Sequence, residues 1–113
     1  MGFRKNDNYP ATQGGYSAVS VDQTATEIVA ENKHRVSLLI QNQGTTILYL
    51  GFDNSVTADN YAVALTGGTA RDDGNGSAWE TGGVSDVYEG AVYGIRQTVT
   101  AENVTYSEVT DVS

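Results

Sequence analysis

The sequence predicts an all-β fold, a single β-sandwich or jelly-roll-like domain of about eight antiparallel strands. The first observation is composition: Gly (13) and Tyr (7) are frequent, Pro occurs once, and Val and Thr recur throughout. Val, Thr and Tyr favour pleated strands, and Gly favours turns. The second observation is spacing, because strand-like runs alternate with turn signals about every ten residues. No long stretch places apolar residues at helical intervals.

The predicted strands are separated by polar or Gly-rich turns. The strand over residues 35–42 is the clearest, because Val36, Leu38 and Ile40 share one face while Leu39 lies on the other. A short turn follows, so residues 46–52 are expected to return as the second strand of a hairpin at the centre of the fold. The predicted strands cover residues 17–22, 26–30, 35–42, 46–52, 61–65, 84–88, 91–96 and 103–109.

Residues 1–16 differ from the rest and are predicted to form an extended N-terminal arm ahead of a sandwich over residues 17–113. They are polar and aperiodic, and they hold two of the six basic residues of the chain. A frayed terminus is one interpretation. The other is an arm that orders on a neighbouring subunit. The arm residues that would contact the partner are Phe3, Arg4, Lys5 and Tyr9.

The charge balance restricts the partners. Six basic and 14 acidic residues give a formal net charge of −8 and a pI near 4.2. Nucleic acid and anionic membranes attract clustered Lys and Arg, so neither is an expected partner. The absence of cysteine excludes disulfides and thiolate metal sites. No apolar stretch has the length of a signal peptide or a membrane span, and folding in a cytoplasm is expected.

A catalytic constellation is hard to assemble from these residues. His34 is the only histidine and lies in a polar turn, which favours an exposed structural residue over a general base or metal ligand. The acidic turn over residues 72–76 has oxygens that suit calcium, but it lacks EF-hand spacing, and turn chemistry alone explains it. We therefore expect no enzymatic activity, no cofactor and no bound metal.

The aromatic residues are the remaining candidates for binding. Trp79 follows a Gly-rich turn and is the strongest candidate for an anchor at a protein interface. Tyr49 and Tyr93 lie within predicted strands and are expected to be packed. Exposed aromatic rings also stack on sugars, so a carbohydrate site around Trp79 is the alternative.

Several segments of the chain follow one known pattern. Residues 35–42 form a strand that ends in Asn before a short turn, and residues 47–53 (ILYLGFD) follow with an aliphatic-Tyr-aliphatic-Gly run. Residues 90–95 (GAVYGI) and 104–109 correspond to the late and final strands of that pattern. Over residues 33–109 the chain resembles small virion proteins of tailed bacteriophages, the head decoration or cement proteins with a β-sandwich fold. The long loop over residues 69–83 departs from that pattern.

The resemblance implies a non-enzymatic structural protein that decorates and stabilises the assembled virion head. It also implies the major capsid protein or other virion proteins as partners, a homo-oligomer (trimers above all), and assembly in the host cytoplasm. A subunit that binds only the assembled shell stabilises it by mass action. The alternative is a carbohydrate- or receptor-binding module of a phage tail or fibre. A secreted lectin ranks behind both.

Overall fold

The computed structural model describes residues 12–83 and 86–112. All regular secondary structure in these residues is β-strand. No helix in this part of the chain is long and apolar enough to cross a membrane. The strands are β1 (Thr12–Val21), β2 (Thr26–Val29), β3 (Arg35–Asn42), β4 (Leu48–Gly51), β5 (Val63–Leu65), β6 (Ala78–Gly82), β7 (Val92–Ile95) and β8 (Glu102–Asp111).

The strands form two four-stranded sheets. Sheet A has the order β1-β8-β3-β6, and sheet B has the order β2-β7-β4-β5. Every hydrogen-bonded pair of strands is antiparallel. Most connections cross from one sheet to the other, which is the jelly-roll arrangement. The predicted all-β sandwich of about eight strands is confirmed.

The core consists of Val, Ile and Leu side chains supplied by both sheets. In β3 the predicted alternation is confirmed at Leu38 and Ile40, which are buried, and at Leu39, which is 40% exposed on the opposite face. It is interrupted at Val36, which is half-buried at a register shift between Arg35 and Ser37. Burying each large aliphatic side chain contributes about 1.5–3 kcal/mol. The core cluster contains Val21, Ile28, Val29, Leu38, Ile40, Leu48, Leu50, Leu65, Val92 and Val104.

Two buried arginines hold the loops at opposite ends of β3. Arg35, at the start of β3, ion-pairs with Glu108 through an Nε–Oε2 distance of 2.7 Å. Its remaining donors bond the carbonyls of Tyr88, Gly90 and Ala30. Arg96 contacts Asn42 at the end of β3, with 2.9 Å between Nη2 and Oδ1. Arg96 also donates to the carbonyls of Val21, Thr46 and Asn103.

The predicted hairpin between residues 35–42 and 46–52 is wrong, because β3 and β4 belong to different sheets. The residues between them form a corner organised by Asn42, which is fully buried. The Asn42 amide donates to the carbonyls of Thr46 and Leu65. Alternating buried residues look the same in a hairpin and in two facing sheets, so the sequence pattern did not distinguish these arrangements.

The structure also changes two predicted boundaries. Residues 12–16 of the predicted arm continue β1 along β8, so the described part of the sandwich begins at Thr12. Residues 1–11 lie outside the described residues. The strand predicted over residues 84–88 is not found at residues 86–88, whereas residues 84 and 85 lie outside the described residues. The structure has a strand, β6, just before this region. Glycines flank β6 on both sides, which made the whole region look like a single loop.

Candidate interaction surface

β1 directs a row of main-chain groups away from sheet A. The Asp111 amide donates to the His34 carbonyl over 2.8 Å. The Gln43 amide donates to the Asn103 carbonyl over 3.1 Å. The main-chain N–H and C=O groups of the odd-numbered β8 residues therefore point toward β3. Those of the even-numbered β8 residues point toward β1, where they pair with odd-numbered residues such as Gly15. The N–H and C=O groups of the even-numbered β1 residues therefore point away from β8, toward the edge of sheet A, where no described strand pairs with them.

The first part of β1 is open on both faces as well as along its edge. We call residues 12–18 the open segment; residues 13–18 within it are all exposed, and Tyr16 is 89% exposed. No strand of sheet B exceeds four residues, whereas β1 and β8 have ten each. The β1–β8 pair therefore extends beyond the opposite sheet. The inner side of the open segment, beside the half-buried Tyr106 and Glu108, lines a depression of about 310 Å³.

The other sheet edges are short or carry features that block pairing. β2 has four residues, a register shift after Glu27 and an exposed acid at that position. β5 has only three residues. β6 carries the exposed Glu80 and ends at Gly82, whose φ of 91° breaks the extended conformation. Charges, bulges and short strands are the usual protection of edge strands, and β1 has none of them: its ten residues are uncharged and in unbroken register with β8.

The outer face of sheet A continues the surface of the open segment. Register pairs place Tyr16, Ser107, Leu39 and Glu80 in one row across the four strands. Two shallow depressions of about 170 and 540 Å³ lie beside Leu39. The charged residues on the outward positions of these strands are Glu80 and Asp111, both acidic. This face is therefore mostly neutral and suits a protein surface better than a polyanion.

Sheet B presents an aromatic strip on its own outer face. The rings of Tyr49 and Tyr61 lie 4.9 Å apart between centroids, with a 53° tilt. Tyr93 is diagonal to Tyr49 in the register of β4 with β7, and its hydroxyl donates to the Glu27 carboxylate over 3.3 Å. Loss of hydration and the nearby Glu27 charge raise the pKa of Tyr93. The prediction that Tyr49 and Tyr93 are packed is met only in part, since both are half-buried on an outer face.

The buried polar groups are engaged within the fold rather than directed at a ligand. Glu102 accepts hydrogen bonds from Thr45 and Thr46 and forms an ion pair with Arg71. Burial raises the pKa of Glu102, but the hydrogen bonds from Thr45 and Thr46 and the charge of Arg96 outweigh it, so its pKa lies below the ordinary 4.5. Among the described residues, no buried side-chain nitrogen or oxygen lacks a hydrogen-bond partner.

The acidic turn and His34 take structural positions. The Asp73 carboxylate accepts the amides of Asn75 and Ala70, which is the geometry of a side-chain-capped turn. These hydrogen bonds lower the pKa of Asp73. His34 is exposed, and its amide donates to the Asn32 side chain. In the described residues, no group of three or more His, Cys, Asp or Glu side chains could hold a metal ion.

The structure describes one of the five sequence-predicted contact residues, Trp79. Trp79 lies on β6 opposite Ile40, half-buried against the core, with its ring centroid 6.3 Å from that of Phe52. Phe52 in turn stacks on Tyr88 at 4.3 Å. Contact of Trp79 with a partner stays a prediction. The other four predicted contacts, Phe3, Arg4, Lys5 and Tyr9, lie outside the described residues.

Sequence reasoning missed the open segment. The signal was present as an uncharged ten-residue run, TQGGYSAVSV, in a chain with net charge −8. Gly14 and Gly15 had suggested an irregular arm, but in β1 both keep extended pairing with β8. A side chain added at either position would meet nothing within 4 Å.

Comparisons with known proteins place the chain in no known family. No protein-family model and no curated protein matches it. One similar solved structure is described as "Bacillus endospore appendages form a novel family of disulfide-linked pili", at 13% identity and a TM-score of 0.49, with 100% of each chain covered. A likeness of that degree says nothing about function. The present chain has no cysteine and so cannot form disulfide links.

Proposed function

We propose that this chain is a non-enzymatic structural protein that acts by assembling with other proteins. The observation that carries the proposal is the open segment of β1, a long uncharged strand exposed on both faces and along its edge. Edge strands of this kind recruit another chain. The neutral outer face of sheet A lies next to it and enlarges the available surface.

The specific form that we propose is a decoration or cement protein of a tailed-phage head. The support is the sequence resemblance over residues 33–109 together with a small acidic sandwich. The partners would be the major capsid protein and further copies of the chain, with trimers as the form that the resemblance implies. Nucleic acid and membranes are not among the proposed partners. Binding would stabilise the shell through affinity and concentration alone.

Co-sedimentation with shells tests this proposal. The shells are assembled from the major capsid protein whose reading frame lies nearest to that of this chain. We expect the chain to sediment with shells, and Leu39→Glu on the outer face of sheet A to weaken binding about tenfold or more, since an acid there would be desolvated at the contact. Ala64→Glu, an exposed position on β5, is the matched control. A wild-type chain that stays in the supernatant would contradict the capsid role.

Carbohydrate or receptor binding on a phage tail or fibre is the second candidate. The aromatic strip of sheet B favours it, because tilted and exposed tyrosine rings can stack on sugars. A glycan-array screen tests this function. Specific binding that Tyr61→Ala abolishes and Tyr16→Ala leaves intact would favour this candidate, and an array without signal would remove its support.

A further inference from the structure

We infer that the open segment of β1 pairs in antiparallel fashion with the open segment of a second copy of this chain. The contact joins two A sheets into one continuous eight-stranded sheet. This inference rests on the proposed assembly function and names its partner.

Symmetry limits the register. Two antiparallel copies of one strand are related by a two-fold axis normal to the sheet, which keeps both outer faces on the same side. Directly opposed residues must then lie on the same face of the sheet. Because faces alternate along a strand, the two opposed residue numbers are both odd or both even, and their sum is even. Only a few registers within the open segment satisfy this condition. They place one of the residues from 13 to 17 opposite its own copy, and the register centred on Gly15 pairs all seven residues of the open segment.

The register centred on Gly15 fits the side chains best. It places the Tyr16 ring of each copy over Gly14 of the other, on the outer face where Gly14 has no side chain and no neighbour within 4 Å. An aromatic ring over a cross-strand glycine covers otherwise exposed backbone. Tyr16, already 89% exposed, would thereby gain a contact that its own fold does not provide.

The main-chain groups agree with this register. The even-numbered residues of β1 point outward, so the pairs Gly14–Tyr16 and Thr12–Ala18, each formed twice, would exchange about eight hydrogen bonds. The odd-numbered Gly15 then meets its copy as a non-hydrogen-bonded pair, with Cα atoms about 4.5 Å apart. Glycine on both sides permits that close approach.

The charge distribution favours a second copy at this edge. Each chain carries a net charge of −8, so two copies repel each other across most surfaces. β1 is free of charge along all ten residues, which makes it a place where two copies can approach without burying a carboxylate. Salt screens the repulsion between the bodies while leaving the contact unaffected, so pairing should strengthen as salt rises.

The contact is small, and its strength should reflect that. Seven paired residues extend over about 23 Å. Such an edge buries less than the roughly 1,000 Å² of a stable specific interface, so the pair should dissociate in about the micromolar range. A trimer uses a different surface, because a two-fold strand contact joins chains in pairs.

Single-cysteine crosslinking tests the inference cleanly, because the chain has no cysteine of its own. Three variants are compared after mild oxidation: Gly15→Cys, Ser17→Cys and Ala64→Cys. The first tests the predicted centre, the second the competing register, and the third is an exposed control on β5. A disulfide needs Cα atoms about 4.4–6.8 Å apart, which the Gly15 pair meets. Circular dichroism checks that each variant folds.

We expect Gly15→Cys to form a covalent dimer at least about tenfold faster than Ala64→Cys, and faster still at higher salt. Preferential crosslinking of Ser17→Cys would overturn the register, and equal rates for all three would overturn the pairing. Folded Gly15→Cys that fails to crosslink while the wild-type chain still binds shells would reject the pairing alone. Crosslinking without shell binding would reject the capsid role alone.

Discussion

Arg96 is the residue on which one end of the sandwich depends most. It is 1% exposed and bonds three main-chain carbonyls and the Asn42 side chain. These bonds connect the ends of β1, β3 and β8 with the corner that leads to β4. Arg71, in contrast, is exposed and reaches Glu102 with a single ion pair of 3.1 Å. Arg96 therefore has a structural role in the fold, whereas Arg71 makes a contact at the surface.

Replacing Arg96 should therefore destabilise the fold far more than replacing Arg71. We expect Arg96→Met to lower the free energy of unfolding by about 3–5 kcal/mol, because the carbonyls and the Asn42 side chain that Arg96 bonds would lose their donor. Arg71→Met should cost about 1 kcal/mol or less, because Arg71 is itself exposed and Thr45 and Thr46 still hydrogen-bond Glu102. Urea unfolding followed by circular dichroism measures both. Similar losses for the two variants would contradict the role assigned to Arg96.

Glu102 should make the free energy of unfolding depend on pH in the acidic range. Its pKa is lowered in the folded state from 4.5, so it contributes stability that is fully present above that value and is lost as pH falls through the folded-state pKa. Glu102→Gln should consequently be less stable than wild type at pH 7, and the difference should shrink below about pH 4.5. Unfolding curves at several pH values test this. Glu80→Gln removes an exposed acid as the control, and a gap that widens in acid would contradict the assignment.

At the scale of elements, the sequence predicted strands well where one face is buried. Alternation identified β3 to the residue, because Leu38 and Ile40 pack inward while Leu39 is exposed. Pairing was less accessible: β3 and β4 were assigned to one hairpin, since alternation carries no information on which sheet a strand joins. The open segment was missed for a related reason. Without buried residues, its sequence has no alternation to detect.

Truncation separates β1 from the residues before it. Removing residues 1–11 leaves β1 complete, so the truncated chain should still pair with itself. Removing residues 1–16 deletes Gly14, Gly15 and Tyr16, which have exposed side chains or none, and leaves the core residue Val21 in place. We expect the longer truncation to fold with a loss of about 2 kcal/mol or less but to lose the pairing through β1.

Sedimentation and thermal unfolding of the two truncations provide the measurement. A fully unfolded longer truncation would show that the open segment belongs to the folding core. Loss of pairing in the shorter one would move the contact to residues 1–11. If both truncations bind shells as the full chain does, the predicted partner contacts of Phe3, Arg4, Lys5 and Tyr9 would be rejected.

Over the molecule as a whole, the acidic residues divide the surface into parts that repel a second copy of the chain and parts that are nearly neutral. Sandwich ends and loops carry most of the acids. Of the acids within the fold, Glu108 pairs with the buried Arg35, and Glu102 is held by Thr45, Thr46 and Arg71. One edge and one sheet face stay nearly neutral. Composition and turn spacing predicted the all-β class. The location of the neutral edge could be found only from the strand order, because it depends on which strand lies at the end of its sheet.

Sedimentation equilibrium of the unmodified full-length chain tests the central claim most directly. The claim is that β1 is an open assembly strand. Over roughly three decades of concentration around the micromolar range, we expect the mass to rise from 12.0 kDa toward a multiple of two chains. Gly15→Asp, which faces its own copy with like charge, should abolish this pairing, and Ala64→Asp should not. A wild-type chain that stays at 12.0 kDa throughout, or forms trimers unaffected by Gly15→Asp, would contradict the account.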